Sequence, residues 1–308
     1  MNYSQMYYAK KKAQEFGISI EEYLKRKNLS NSIEATPTLP PPVINFDKVG
    51  RLQELNITAG MLNQFKTGQV IDTLFSYEGG IPVGTNIMCT GDPGVGKTTL
   101  LLHTMACLQL TNPNLKCLFI SAEMSKIQMF KYTKRFPIFG NVETIFTSDY
   151  LDFNIKDVME QLLHKGYDYI LMDSIVEVLE AVKEDAGMSQ SQAEKWLIDL
   201  TVGHNEGKNE RGAFSSFLLI QQVTKAGVFV GSNKMKHITD AHLEMKRESE
   251  REGGGTYLMF TKNRNGQAGI KFSYQLANNE IYYGQVSEEG SEGGDKEISE
   301  FELSSAGE

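Results

Sequence analysis

Apolar and polar positions change texture three times along the chain. Over residues 3–28, Tyr7, Ala13, Phe16, Ile18, Ile20, Tyr23 and Leu24 recur loosely at helical spacing among lysines and glutamates, and Gly17 interrupts them. This predicts a helix with a break. Residues 29–43 carry Ser, Asn and Thr and the run Pro40-Pro41-Pro42, the composition of an extended linker. From about residue 68, β-prone runs at 85–90, 116–121, 167–173 and 215–222 alternate with helix-forming stretches at 98–110, 125–136 and 155–164. Strands separated by helices of that length predict βαβ units, an α/β fold and a mostly parallel central sheet. After residue 240 only strands are predicted, at 241–245, 257–262, 270–275 and 281–283. Gly253-Gly254-Gly255 reads as a hairpin turn between two of them, because glycine tolerates positive φ. Residues 286–308 are Gly, Ser and Glu with few apolar groups, a disordered composition. Three segments follow: a helical appendage with its Pro-rich linker at 1–45, a core at 46–285 and a tail at 286–308.

Composition narrows the class. A chain of 308 residues, 40% apolar and 23% charged, can bury a sizeable core and is neither collagenous nor wholly disordered. No run approaches the ~18 apolar residues of a membrane span, and the start shows no signal-peptide pattern. Cys89, Cys107 and Cys117 form no CxxC or zinc spacing and lie among apolar residues, so they read as buried free thiols of a reducing compartment. The net charge of −8 is mostly a property of the tail. Residues 286–308 hold eight acidic groups against Lys296, while the rest of the chain is close to neutral. The acidity therefore does not exclude nucleic acid as a partner of the core.

One segment carries definite chemistry. Gly91-Asp92-Pro93-Gly94-Val95-Gly96-Lys97-Thr98 fits GxxxxGK[ST], with Thr99 next, and it follows a predicted strand and opens a predicted helix. Its glycines let backbone N–H groups close around a polyphosphate, and the helix N-terminus favours negative charge. Lys97 is expected on the β- and γ-phosphates of ATP, and the Thr98 hydroxyl on Mg²⁺. The apolar run Tyr169-Ile170-Leu171-Met172 ends in Asp173, the expected carboxylate partner of that cation; the alternative is a simple cap after a strand. Glu123 follows the strand at 116–121, at the edge of the sheet where ligands of open α/β folds bind. It is the candidate base that activates water, with a solvated cap of the helix at Ser125 as the rival.

Beyond the loop the chain resembles a known family. Glu78-Gly79-Gly80-Ile81-Pro82-Val83-Gly84, the loop from Gly91 to Lys97, and Thr98-Thr99-Leu100-Leu101-Leu102 resemble the RecA-like P-loop ATPase core of RadA/Sms, a bacterial recombination ATPase. Val223-Thr224-Lys225-Ala226-Gly227 resembles the VTKxG element of that family, and Lys262-Asn263-Arg264-Asn265-Gly266 its KNRFG motif, with Asn265 in place of Phe. Ser121-Ala122-Glu123-Met124-Ser125 with Gln128 is similar to a segment of DnaB-type helicases. The resemblance covers about residues 68–277. The four-cysteine zinc element and the Lon-like domain of RadA have no counterpart here, as in a stripped phage or mobile-element version.

The resemblance implies further roles. Lys262 and Arg264 reach into a neighbouring subunit's nucleotide site, and Gln222 senses the γ-phosphate. Lys225 and the loop to Lys234 face DNA, and residues 182–195 form the other DNA loop. His237 is as open to a packing role as to a site role, and Trp196 reads as helix core. The implied protein is an ATP hydrolase of the bacterial or phage-infected cytoplasm, a homo-oligomeric ring or filament and by expectation a hexamer. It would act on single-stranded or branched DNA in recombination and repair, as a helicase or translocase. The alternative is a nucleotide-switched mediator that loads a partner, a recombinase or single-strand-binding protein, with slow hydrolysis. A third is a KaiC-type ATPase without DNA. The acidic tail would compete with phosphate for the basic loops, dock a partner through Ile298, Phe301 and Leu303, or simply confer solubility.

Overall fold

A computed structural model of the chain describes residues 3–31, 49–222, 235, 239–248 and 254–288. The chain divides into two compact units, Met1–Asn56 and Ile57–Glu308. In the first, α1 (Tyr3–Glu15) and α2 (Ile20–Asn31) are separated at Gly17, whose φ of +65° stops the helix as the sequence predicts. Ala9 and Ala13, one turn apart on α1, are buried.

The second unit is an α/β sandwich. A short pair, β1 (Gln64–Phe65) with β2 (Ile81–Pro82), brackets α3 (Asp72–Phe75). There follow β3 (Asn86–Gly91), α4 (Lys97–Thr111), β4 (Cys117–Ser121), α5 (Lys126–Arg135), β5 (Glu143–Phe146), α6 (Ile155–His164) and β6 (Tyr169–Asp173). Then come α7 (Ile175–Ala186), α8 (Gln190–Asn205), β7 (Ser216–Ile220), β8 (Ala241–Arg247), β9 (Thr256–Asn263), β10 (Ile270–Leu276) and β11 (Ile281–Glu288). The nine-stranded sheet runs in the order β11-β10-β9-β8-β3-β7-β6-β4-β5. The six strands from β8 to β5 are parallel, and β9, β10 and β11 add an antiparallel extension.

Burial explains the sequence pattern. The parallel strands β3, β4, β6 and β7 are buried at every position, so they read as continuous apolar runs rather than alternating ones. Their period of two still sorts side chains to two cores. Ile87, Cys89, Leu218 and Ile220 pack with Leu100, Leu101 and Met105 of α4. Met88, Met172, Phe217 and Leu219 face Met159, Val178 and Leu197 of the helices α6, α7 and α8. Leu243 and Met245 of β8 join the first core together with Leu258, Phe260 and Phe272 of the antiparallel extension, while β10 keeps a polar opposite face. All three cysteines are buried and free; burial pushes the Cys89 thiol up to about 12, so it is inert as a nucleophile.

The structure differs from the sequence pattern at several points. β5 has a single buried residue, Ile145, too little signal to predict a strand. The expected DNA loop at 182–195 is the end of α7, a three-residue turn at Gly187-Met188-Ser189 and the start of α8; Val182, Ala193 and Glu194 are buried. It is a helical hairpin with reciprocal Ser189–Gln192 capping, not an open loop. β11 continues to Glu288, past residue 283 and into the start of the acidic segment, because β10 offers it a full antiparallel edge. Residues 289–308 lie outside the described residues. Among the described residues no helix is long and apolar enough to cross a membrane.

Candidate functional site

The phosphate loop hangs between β3 and α4. Gly94 and Gly96 have φ of +77° and +89°, and Gly96 is the N-cap of α4. A Cβ on Gly96 would lie 2.2 Å from Leu276, and one on Gly91 would lie 2.1 Å from the Met245 carbonyl oxygen. Strands β8 and β10 thus require two of the motif's glycines whatever the loop binds. Asp92 N–H donates to the Met245 carbonyl (3.1 Å), and the Tyr274 hydroxyl donates to the Val95 carbonyl (2.7 Å). Lys97 Nζ donates to the carbonyls of Gly91 (2.9 Å) and Asp92 (3.0 Å), which holds the ammonium over the loop. Pro93 lies between these anchored positions and Val95 is buried. Thr98 and Thr99 open α4, and Thr99 is buried under it.

Asp173 ends β6 and is only 2% exposed. The Thr98 hydroxyl donates to its Oδ2. Burial pushes the Asp173 carboxyl up to about 6; the charges of Glu123 and Glu177 push the same way, while the Thr98 hydrogen bond and Lys97 oppose them. A hard cation taking oxygen ligands fits this pair, because Mg²⁺ is bound through one or two carboxylates together with phosphates. Glu123 is exposed two residues beyond β4, whose Ser121 pairs with Asp173, and is near enough for its charge to act on that carboxyl. The cap of α5 is the reciprocal pair Ser125 and Gln128, so Glu123 is not the cap. Gln222 follows β7 and is half-buried; Asp173 pairs with Ile220 and Cys89 with the same residue, so Gln222 leaves the sheet at the edge shared by Asp173, Glu123 and the loop.

Lys262 and Arg264 lie at the other edge. β9 is antiparallel to β8: Leu258 stands opposite Met245, beside Gly91, while Lys262 stands opposite His242 and Asn263 opposite Ala241. Arg264 N–H donates to the Asp240 carbonyl, and its guanidinium pairs with the Asp240 carboxylate at 3.2 Å. From Met245 to Asp240 is about 16 Å along the strand, beyond the span of an arginine side chain from its own loop. Lys262 Nζ donates to the Thr239 carbonyl, and burial and the neighbouring Arg264 hold its ammonium below the usual lysine range. Asn263 Nδ2 donates to the Phe75 carbonyl, which fixes the motif to the end of α3.

Sequence reasoning missed the supports of the loop: Met245, Tyr274 and Leu276 are distant in the chain and carry no motif. It also missed Glu177, whose carboxylate accepts from the Ser174 hydroxyl beside Asp173. Trp196 is only partly buried, packed against the second core with its indole N–H donating to Glu160 (2.8 Å). Lys225, Lys234, His237 and the VTKxG segment lie outside the described residues. Among those described, no group of three or more His, Cys, Asp or Glu side chains could hold a metal.

No protein-family model matches the chain. It is 30% identical over 188 residues to a DNA repair protein RadA of Listeria monocytogenes, covering 61% of this chain and 38% of that one. It is 28% identical over 237 residues to the Aquifex aeolicus DNA repair protein RadA, covering 77% and 47%. The chain thus spans less than half the length of these relatives. A KaiC-like protein of Pyrococcus horikoshii shares the fold, with a TM-score of 0.56 at 17% identity over 73% of this chain and all of that one.

Proposed function

We propose, for a chain whose core is RadA-like and RecA-folded, that it hydrolyses ATP in the service of DNA repair or recombination, at sites shared between subunits. The observation that carries the reading is the gathering of Lys97, Thr98, Asp173, Glu123 and Gln222 at one edge of the sheet with Lys262 and Arg264 at the opposite edge. Neither edge is a complete hydrolytic site.

In this reading the loop and Lys97 hold the phosphates, and Thr98 with Asp173 would hold a magnesium ion, which when bound would supply charge neutralisation for the phosphates. Glu123 accepts the proton of the attacking water, and Gln222 contacts the γ-phosphate. Lys262 and Arg264 of one copy stabilise charge in the site of the next, in a head-to-tail ring or filament. The DNA substrate is single-stranded or branched, engaged by Lys225 and Lys234.

The test is the ATPase rate with and without single-stranded DNA, beside light scattering with and without a non-hydrolysable ATP analogue. A DNA-stimulated rate, abolished in Lys97→Ala, together with nucleotide-dependent assembly is the expected result. Partner binding with little stimulation would favour a mediator that loads a recombinase or single-strand-binding protein. Turnover without salt-sensitive DNA affinity would remove DNA from the reading.

A further inference from the structure

The two edges of the sheet are joined by a polar link through a buried histidine. His242 on β8 is 4% exposed, and both of its ring nitrogens are occupied. Nε2 lies 2.9 Å from the Thr90 hydroxyl of β3, and Nδ1 lies 2.8 Å from the Thr261 hydroxyl of β9. A neutral imidazole donates through one nitrogen and accepts through the other, and each hydroxyl can take the complementary part. Glu244, two residues along the same face, brings a carboxylate oxygen to 3.9 Å from Nδ1 and is itself paired with Lys246.

Both hydroxyls sit next to the candidate chemistry. Thr90 immediately precedes Gly91, the first residue of the phosphate loop, and Thr261 immediately precedes Lys262. The ladder between β8 and β9 also slips here: His242 pairs with Lys262 but Leu243 pairs with Phe260, so Thr261 is the extra residue of a β-bulge. Strict alternation would carry Lys262 onto the apolar face of Leu258 and Phe260. The bulge interrupts that alternation one residue earlier, and such bulges re-aim the side chains that follow.

We propose that His242 is a positioning residue: through Thr261 it holds the bulge that aims Lys262 and Arg264 at a neighbouring subunit, and through Thr90 it ties that aim to the nucleotide state of this chain's own loop. The inference rests on the reading of Lys262 and Arg264 as groups that act in trans. A shift of Gly91 on phosphate binding moves Thr90, and the buried ring has no solvent to take up a broken hydrogen bond, so the bulge must follow. Each subunit would thereby present its basic pair according to what its own site holds.

Two measurements test this. The first needs no hydrolysis: nitrogen-edited NMR of the histidine rings, on a chain with five histidines, during titration with a magnesium complex of a non-hydrolysable ATP analogue. The His242 ring signals should shift on binding in the wild type and stay still in Thr90→Val. Binding without a ring shift overturns the coupling alone, whereas a chain that binds no nucleotide overturns the reading of the site and the coupling together. The second uses Thr261, whose side chain is exposed enough for Thr261→Val to fold. That variant should lose about 10–100-fold in kcat, up to the scale of a group misplaced by about 1 Å, with KM for ATP changed less than about twofold. Thr261→Ser should restore the rate, and mixing Thr261→Val with Glu123→Gln subunits should restore activity at interfaces that combine an intact base with an intact basic pair. A serine variant as slow as the valine one, or a rise in KM with kcat unchanged, overturns the positioning role.

Discussion

The parallel and antiparallel halves of the sheet solve different problems. In the parallel half, β3, β4, β6 and β7 are buried on both faces and bring Gly91, Glu123, Asp173 and Gln222 to one edge, each from the end of a different strand. Every group there belongs to one copy of the chain. The antiparallel half is buried on one face only. Its strands run both ways, so it reaches both edges: Tyr274 and Leu276, with Met245 of the adjoining β8, hold the phosphate loop, while Lys262 lies about 10 Å and Arg264 about 16 Å along the strand toward the opposite edge. In the proposed reading, the parallel half binds the nucleotide by itself but needs groups from elsewhere to catalyse. In the same reading, the antiparallel half both supports its own site and lends groups to another.

The strongest challenge to this contrast is Arg264→Ala. A trans-acting arginine is worth about 10³–10⁵ in rate, so the variant should lose turnover on that scale while binding ATP normally. Mixed with Glu123→Gln subunits it should regain part of the rate; shown co-assembly with no recovery would mean that Arg264 merely holds Asp240. Next is Glu123→Gln by itself, which should bind Mg·ATP and lose about 10²–10⁴ in kcat, the usual worth of a general base. An unchanged rate would place the base elsewhere on the edge.

A smaller effect concerns stability. Asp173 has a folded pKa near 6, above its ordinary value of 3.8. Ionisation therefore costs the nucleotide-free fold stability in full above pH 6, and the cost disappears as pH falls from 6 to 3.8. Asp173→Asn should stabilise the nucleotide-free protein at pH 7.5 by about 1–3 kcal/mol, and the gain should vanish near pH 4, as read by denaturant titration. Destabilisation at pH 7.5 would show that the Thr98 hydrogen bond outweighs burial. The smallest effect tests the support of the loop by the antiparallel half. Tyr274→Phe leaves the buried Val95 carbonyl without its donor and should cost about 1–2 kcal/mol of stability. Nucleotide affinity should weaken with it, as measured by calorimetric titration; unchanged affinity would separate the loop from β10.

The phosphate loop was legible because its chemistry is local: the glycines, Lys97 and Thr98 are consecutive, and the flanking strand and helix are strongly patterned. Asp173 and Glu123 were legible as the polar ends of apolar runs. Three kinds of feature were not legible. Residues 182–195 are expected as a DNA loop through the resemblance alone, yet Val182 and Ala193 are buried and cap residues make the segment a helical hairpin. β5 and the extension of β11 depend on an edge supplied by a partner strand. His242 reads as an unremarkable histidine in a strand, because its meaning lies in the hydroxyls of Thr90 and Thr261 on two other strands.

By itself the sequence determined the alternation of strands and helices, the α/β class, the phosphate loop and the carboxylates at or just past the ends of β4 and β6. Those features are set by neighbours within a few positions, through periodicity, glycine conformation and helix-end electrostatics. The tertiary structure alone decided that β9 runs against β8, and so that Lys262 and Arg264 stand at the edge opposite the loop. It also decided that Met245 and Tyr274 hold the loop, and that a bulge at Thr261 breaks the alternation before Lys262. Strand direction and register come from pairing between segments far apart in the chain, where a shift of one residue exchanges the two faces of a strand, and no local pattern encodes which segments meet.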